Sequence, residues 1–202
     1  MRIAVTGTHG VGKSTLIADF AAAHPDYESV AEPYWLLAQQ GLPFADGATI
    51  ADLEQQLVES CRLISAHANV NNVIFDRCPL DFLAYLEVVS AAEGFEWLPG
   101  GRELAQIGRA LATLDLVMFT PLTSPDEIAV AIEKPKLRRR VDRRLKTMLG
   151  EDDLGLLADG PRVVEVVGTP AQRLALASAL VAGQQHGDAI SRAGAPAHPR
   201  HK

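Results

Sequence analysis

This chain has little cysteine, no long hydrophobic run and a shortage of positive charge, and each lack narrows what it can be. Cys61 and Cys78 are its only cysteines and have no C-x-x-C spacing, which argues against a disulfide framework or a structural zinc site. Two buried free thiols are expected. No segment approaches the ~20 apolar residues that cross a bilayer. The opening MRIAVTG has one basic residue and too short an apolar run for a secretory leader, so a cytoplasmic home and no membrane partner are expected. A net charge of -6 argues against general affinity for nucleic acid. The positive charge that exists is concentrated: eight of the nineteen Lys and Arg lie between Lys134 and Lys146, and such a cluster needs a local reason.

What is present is a chain of 202 residues, 48% hydrophobic, enough to bury one substantial core in a single soluble unit. Short apolar runs predict buried strands over Ile3–Val5, Ser29–Ala31, Val73–Phe75, Leu116–Phe119 and Val163–Val167. Between them lie segments of helical spacing, Leu16–Phe20, Ile50–Ala68, Leu80–Ser90, Arg102–Leu114, Leu137–Leu149 and Gln172–Val181. The clearest is Ile50–Ala68, where Ile50, Leu53, Leu57, Cys61 and Ile64 share a face, Thr49 is placed to cap the start and Asp52 follows it. Strands and helices alternate, as the right-handed crossovers of a parallel sheet require. The expected fold is therefore α/β in three layers, a five-stranded parallel sheet with helices on both faces, over residues 1–182. Beyond Gly183 the periodicity is lost and Gly, Pro, His and Ala accumulate, so residues 183–202 are expected to form a disordered tail.

The stretch GTHGVGKST carries the most specific chemistry. Gly7, four residues, then Gly12, Lys13 and Ser14 is the spacing of a phosphate loop, and it sits between a strand and a helix as that motif requires. Gly7, Gly10 and Gly12 let the backbone curl so that its amides face phosphate oxygens, and the helix beginning near Lys13 adds its positive dipole end. Lys13 supplies a mobile charge for the β and γ phosphates, and the Ser14 hydroxyl is suited to ligate Mg²⁺. Gly7, Thr8, His9, Gly10, Val11, Gly12, Lys13, Ser14 and Thr15 are the expected nucleotide contacts.

The strand Val73–Phe75 runs directly into Asp76 and Arg77. A carboxylate at such a strand end is suited to hold Mg²⁺ beside Ser14. A cation next to it has a use where anionic phosphate also comes, so Arg77 is expected to bridge donor and acceptor groups during transfer. Asp81, one turn further, reads as a helix cap. In SVAEPYW, Glu32 ends the second strand and Pro33 turns the chain out of the sheet, which puts a carboxylate at the ligand-binding edge, able to take a proton from an attacking hydroxyl. Tyr34 and Trp35 offer either an aromatic wall for a planar ring or a packing surface. In EKPKLRRRVDRRLKTML, Leu137, Val141, Leu145 and Met148 form an apolar face and the basic residues take the remainder. Arg139 and Arg143, which share a face, are the expected lid over the donor phosphates within residues 134–149. Arg138 and Arg140 are the alternates, and a solvated basic face is the other reading.

Taken in order, GTHGVGKST, the Glu-Pro of AEPYW, the Asp-Arg of FDRCPLDFLAY and VVEVVGTPAQRL resemble the P-loop NTPase group that contains deoxyribonucleoside kinases, thymidylate kinases and the nicotinamide riboside kinase module. The resemblance spans about residues 1–182, and the chain is especially similar to small bacterial AAA-type predicted ATPases of the nicotinamide riboside kinase type. It implies a kinase that uses ATP and Mg²⁺ to phosphorylate a nucleoside-like or other small hydroxyl acceptor, and it leaves room for a homodimer. It implies that Glu32 is the base for a sugar hydroxyl, although Trp35 here follows Pro33 by two residues where that group has four. Metal and phosphate roles carry over to Asp76 and Arg77, while Cys78 stands where that group has serine. The loop Gly168, Thr169 and Pro170 is implied to lie against the adenine ring. No Asn-Lys-x-Asp guanine reader occurs, which favours ATP over GTP. The alternatives are a nucleotide monophosphate kinase and a regulatory ATPase that acts on a protein partner.

Overall fold

The computed structural model describes residues 1–41, 49–123 and 134–193, the stretch 184–193 as backbone alone. Five strands, β1 (Arg2–Thr6), β2 (Glu28–Val30), β3 (Val73–Asp76), β4 (Leu116–Phe119) and β5 (Arg162–Glu165), form one sheet in the order β2-β3-β1-β4-β5. Every pairing is parallel. The described helices are α1 (Lys13–Ala23), α2 (Pro33–Gln39), α3 (Ile50–Ala66), α4 (Pro79–Glu93), α5 (Gly101–Leu111), α6 (Pro135–Glu151) and α7 (Pro170–Ala193). The expected three-layer α/β fold is the observed one.

The strands read as unbroken apolar runs because both faces of the sheet are covered. Alternate residues feed different cores. Ile3, Val5, Ile74, Leu116 and Met118 pack with Leu16 and Phe20 of α1 and Ala177 and Val181 of α7. Ala4, Phe75, Val117 and Phe119 pack on the other side with Leu57, Leu83, Ile107 and Leu145 of α3 to α6. Helix α4 touches both α3 and α6, and accordingly it is apolar all round, with Leu80, Phe82, Leu83 and Leu86 all buried. At the start of α3 the Thr49 hydroxyl accepts from the Asp52 amide at 3.2 Å, the cap that the spacing predicts. Among the described residues no helix is long and apolar enough to cross a membrane.

Two expectations need correction. Pro33 turns the chain out of the sheet, but it also opens α2, where a proline at the first helical position gives up an N–H that had no partner in any case. A helix this short shows too little periodicity to be read from sequence. The second correction concerns the tail: α7 continues past residue 183 to Ala193. Single glycines cost only about 1 kcal/mol each inside a helix, and the Ala and Gln around Gly183 favour continuation. Residues 194–202 of the expected tail lie outside the described residues.

The register decides where the ligand crevice lies. Val5 stands opposite both Asp76 and Met118, and Thr6 opposite Phe119, so Gly7, Arg77 and Thr120 leave the sheet side by side at its carboxyl edge. From β1 the chain goes to one side for β2 and β3 and to the other for β4 and β5. That makes the end of β1 the switch point of an open α/β sheet, where a crevice forms. Gly7 itself has φ 148, and a Cβ there would lie 2.5 Å from the Thr120 carbonyl oxygen and 2.6 Å from its hydroxyl. Gly7→Ala is therefore expected to destabilise the fold by about 1–3 kcal/mol, measured by chemical denaturation. Unchanged stability would mean that β1 and β4 can part locally at no cost.

Candidate functional site

The residues from Gly7 to Lys13 wrap the end of β1 and lead into α1. Gly10 has φ 67 and Gly12 φ 87, left-handed conformations that turn the loop back on itself. Three of its carbonyls are held by arginines of two helices. Arg138 of α6 donates from Nε to His9 O at 2.8 Å and from Nη2 to Gly10 O at 2.9 Å. Arg173 of α7 donates from Nη1 to Val11 O at 2.5 Å. With the carbonyls of His9, Gly10 and Val11 so held, the amides that follow them are suited to meet an anion. Helix α1 begins there with no side-chain cap bond and no acidic residue in its first turn. Its unmet amides and positive dipole end form a ready anion site.

Lys13 is buried, and its Nζ donates to the Thr8 carbonyl at 3.0 Å. Burial, reinforced by the nearby Arg77 charge, lowers its ammonium to about 8. Facing it, Asp76 accepts from the Ser14 hydroxyl at 2.7 Å through Oδ2. Its other oxygen, Oδ1, is buried without a hydrogen-bond partner. Burial raises the Asp76 carboxyl above its usual range against the pull of Lys13 and Ser14. A bare carboxylate oxygen beside a hydroxyl is the donor chemistry of a hard cation, so the pair fits Mg²⁺. Among the described residues no group of three or more His, Cys, Asp or Glu could hold a metal alone. The remaining ligands of such an ion would be water and phosphate.

Arg77 is the most constrained cation of the crevice. It is 8% exposed and carries a left-handed backbone at φ 80, a strained position for a side chain of this size. Its Nε donates to Glu32, and its Nη1 donates to Gly7 O and to Asp81 Oδ1, both at 3.2 Å. The guanidinium lies 5.7 Å from the centre of the Tyr85 ring. Burial opposes ionisation of Glu32, but Arg77 and Lys13 outweigh it and hold its carboxyl below the usual range. Asp81 does cap α4, accepting from the Cys78 amide at 3.0 Å. It also accepts from Gly7 N at 3.0 Å and from the Thr6 hydroxyl at 2.7 Å, which anchors the start of the loop. Tyr85 anchors its middle: the hydroxyl accepts from His9 N at 3.0 Å and meets His9 Nδ1 at 3.0 Å and the Thr8 hydroxyl at 3.2 Å.

The model of the AAA domain family matches residues 2–164. The chain belongs to the AAA domain family. By structure it is similar to deoxyadenosine kinase from M. mycoides, with TM-score 0.60 and 15% identity over 91% of this chain and 100% of that one. It is similar also to thymidylate kinase from Candida albicans, with TM-score 0.59 and 14% identity over 91% and 92% of the two chains. A third similar structure is NadR protein in complex with NR, with TM-score 0.53 and 17% identity over 82% of this chain and 43% of that one. At these identities the likeness establishes the fold alone. No curated protein matches the chain in sequence.

In this AAA domain chain, Lys13, Ser14, Glu32, Asp76 and Arg77 come together at one sheet edge. Thr8 is buried beneath the loop, and Ser14 and Thr15 are open to solvent at the start of α1. Gly168, Thr169 and Pro170 follow β5 at the same edge, Thr169 and Pro170 exposed. The structure separates the arginines expected of the lid. Arg139 and Arg143 do share a face of α6, but that face is exposed, and the arginine that reaches the loop is the alternate, Arg138. Leu137, Val141, Leu145 and Met148 are the packed seam, and Arg138 adjoins it while Arg139 is turned a further 100° or so around the helix. Tyr34 and Trp35 stand on α2 with their rings edge to face at 5.2 Å, Trp35 59% exposed. A cavity of about 670 Å³ beside Leu37, Glu54, Leu57, Cys61 and Ile107 has no phosphate-loop residue among its described lining.

Sequence reading missed Arg173, Tyr85 and Thr120 as parts of the site. Arg173 carried one signal: a cation in the first turn of a helix opposes the dipole and needs partners elsewhere. Tyr85 and Thr120 carried none.

The depressed Lys13 value has a measurable consequence. Free Lys13 loses its proton near pH 8, whereas an anion beside the ammonium would restore it, so anion binding takes up a proton above that pH. The Kd of tripolyphosphate should rise by up to about tenfold per pH unit between about 8 and the ordinary lysine value of 10.5. Calorimetric titration checks this, and a Kd flat over that range would mean that Lys13 is not the charge the anion meets.

Proposed function

We propose that the chain is an ATP-dependent phosphotransferase whose acceptor is a small hydroxyl compound, nucleoside-like in size and chemistry. One observation carries the reading: a carboxylate held ionised, Glu32, stands beside the phosphate loop and is bonded to the arginine that follows the metal-suited Asp76. A protein that only hydrolyses nucleotide to switch a partner has no need of a placed carboxylate at the acceptor side.

In this mechanism the loop amides and Lys13 hold the donor phosphates, and Ser14 with Asp76 would hold Mg²⁺, which would screen the charge on those phosphates. Glu32 orients the acceptor hydroxyl and receives its proton as the bond to phosphorus forms. Arg77 is prevented from wandering by Glu32, Asp81 and Gly7, so it presents a fixed positive charge where negative charge develops. The loop Gly168, Thr169 and Pro170 takes the base of the donor. Arg138 shapes the loop from behind. The exposed Arg139 and Arg143 are left as a solvated face.

The Arg77–Glu32 pair also favours a second reading, a nucleotide kinase. There Arg77 would grip an acceptor phosphate and Glu32 would serve only to aim Arg77. The two differ in one substitution. For a hydroxyl acceptor, Glu32→Gln should lower turnover by about 10²–10⁴-fold while ATP binding stays nearly intact. For a phosphate acceptor, already anionic, the loss should be small. The measurement is ADP release with Mg-ATP and a panel of nucleosides, nucleoside monophosphates and riboside vitamins, in parent and variant. Stimulation by a riboside that survives undiminished in Glu32→Gln removes the base, and no stimulation by any small acceptor leaves the regulatory ATPase.

A further inference from the structure

Arg173 stands in the first turn of α7, where the helix dipole disfavours a cation, yet it is only 2% exposed. Its guanidinium joins two loops that are distant in sequence. Nε donates to Gly168 O at 2.8 Å, in the loop that follows β5, and Nη1 donates to Val11 O at 2.5 Å, in the phosphate loop. The first of these loops is itself firmly set. Gly168 has φ 99, a Cβ there would lie 2.6 Å from Gln172 Oε1, and that same oxygen accepts from Thr169 N at 2.9 Å. The Arg173 amide bonds Thr169 O at 2.9 Å, so side chain and main chain of one residue hold the loop from both ends. Because a guanidinium is planar and rigid, the spacing between its two donors fixes the spacing between the carbonyls they hold.

We propose that Arg173 is a positioning residue that locks the loop 168–170 to the phosphate loop, so that the base and the phosphates of a nucleoside triphosphate are gripped as one unit. The proposal rests on the nucleotide-donor reading above and deepens it. Phosphate held by the Gly7–Lys13 loop fixes Val11, Arg173 carries that placement to Gly168, and the base then meets a loop already in position. Cutting the side chain away frees each loop from the other. The adenosine portion then adds less to binding, because the loop it meets must be ordered separately.

The test is calorimetric titration of Mg-tripolyphosphate and Mg-ATP into the parent and into Arg173→Ala, Arg173→Lys and Arg138→Ala, with circular dichroism of each variant. The quantity read is the ratio of the two dissociation constants, which is the increment that adenosine contributes. In Arg173→Ala, tripolyphosphate should bind about tenfold more weakly, and the adenosine increment should also shrink by several-fold. In Arg138→Ala, which loosens His9 and Gly10 alone among these three carbonyls, tripolyphosphate should weaken while the increment stays at the parent value. A lysine supplies a charge without the fork, so Arg173→Lys should recover part of the tripolyphosphate affinity and little of the increment. An increment equal to the parent's in Arg173→Ala overturns the lock. If that variant does not fold, the same result in Arg173→Lys overturns it. A parent that binds neither ligand overturns the nucleotide reading and the lock together, whereas a parent that binds both while the Arg173 variants keep its increment overturns the lock alone.

Discussion

A guanidinium withdrawn from water as far as that of Arg77 persists only where opposite charge and hydrogen-bond acceptors surround it. Its partners come from three places: Glu32 at the entry to α2, Asp81 in the first turn of α4, and the Gly7 carbonyl at the end of β1. They can meet only if β2, β3 and β1 stand side by side in this register. Removing Asp81, the fully buried partner, would cost about 3–5 kcal/mol, so the crevice depends on these strands and α4 forming together. The left-handed backbone of Arg77 is sustained by the same bonds, since strain of about 1–3 kcal/mol needs a surrounding structure that over-determines the conformation.

The phosphate loop is the complement of that arrangement. Arg77 satisfies its own charge within the protein, whereas the loop leaves its charge unsatisfied. The carbonyls of His9, Gly10 and Val11 are bonded by arginines from α6 and α7, and the start of α1 has no side-chain cap. Asp76 adds a carboxylate oxygen with no partner, and Lys13 an ammonium that burial has made easy to deprotonate. Each of these is unfavourable by itself, and a phosphate chain with a cation would relieve them all. Local instability concentrated at one edge of an otherwise closed core is what a binding site looks like in energetic terms.

Helix α6 shows how one residue step changes a role. Arg138, Arg139 and Arg140 are chemically identical neighbours, and each lies about 100° around the helix from the next. The seam against α4 sends Arg138 beneath the phosphate loop and leaves the next two in water. The concentration of basic residues between 134 and 146 therefore has three physical meanings. One buried member organises the site, others pair with carboxylates such as Glu87, Asp142 and Asp153, and the exposed remainder solvates the helix.

By itself the sequence determined the elements and the sign of the chemistry. Alternating apolar runs and helical periods dictate a parallel α/β sheet, because only such a sheet buries both faces of strands like Ile3–Val5 and Leu116–Phe119. The glycine spacing before Lys13 dictates a phosphate loop, because only that backbone can curl with its amides inward. Glu32, Asp76 and Arg77 were legible too, since each lies at or just past the end of a recognisable strand and all strands of a parallel sheet end at one edge. The tertiary structure alone decided which arginine of α6 turns inward, that α2 is a helix, and that Tyr85, Thr120 and Arg173 belong to the site. Those facts depend on contacts between residues far apart in the chain, such as Arg173 with Val11 and Tyr85 with His9. Local spacing carries no information about such partners, because they exist only after the packed layers have brought distant segments within hydrogen-bond reach.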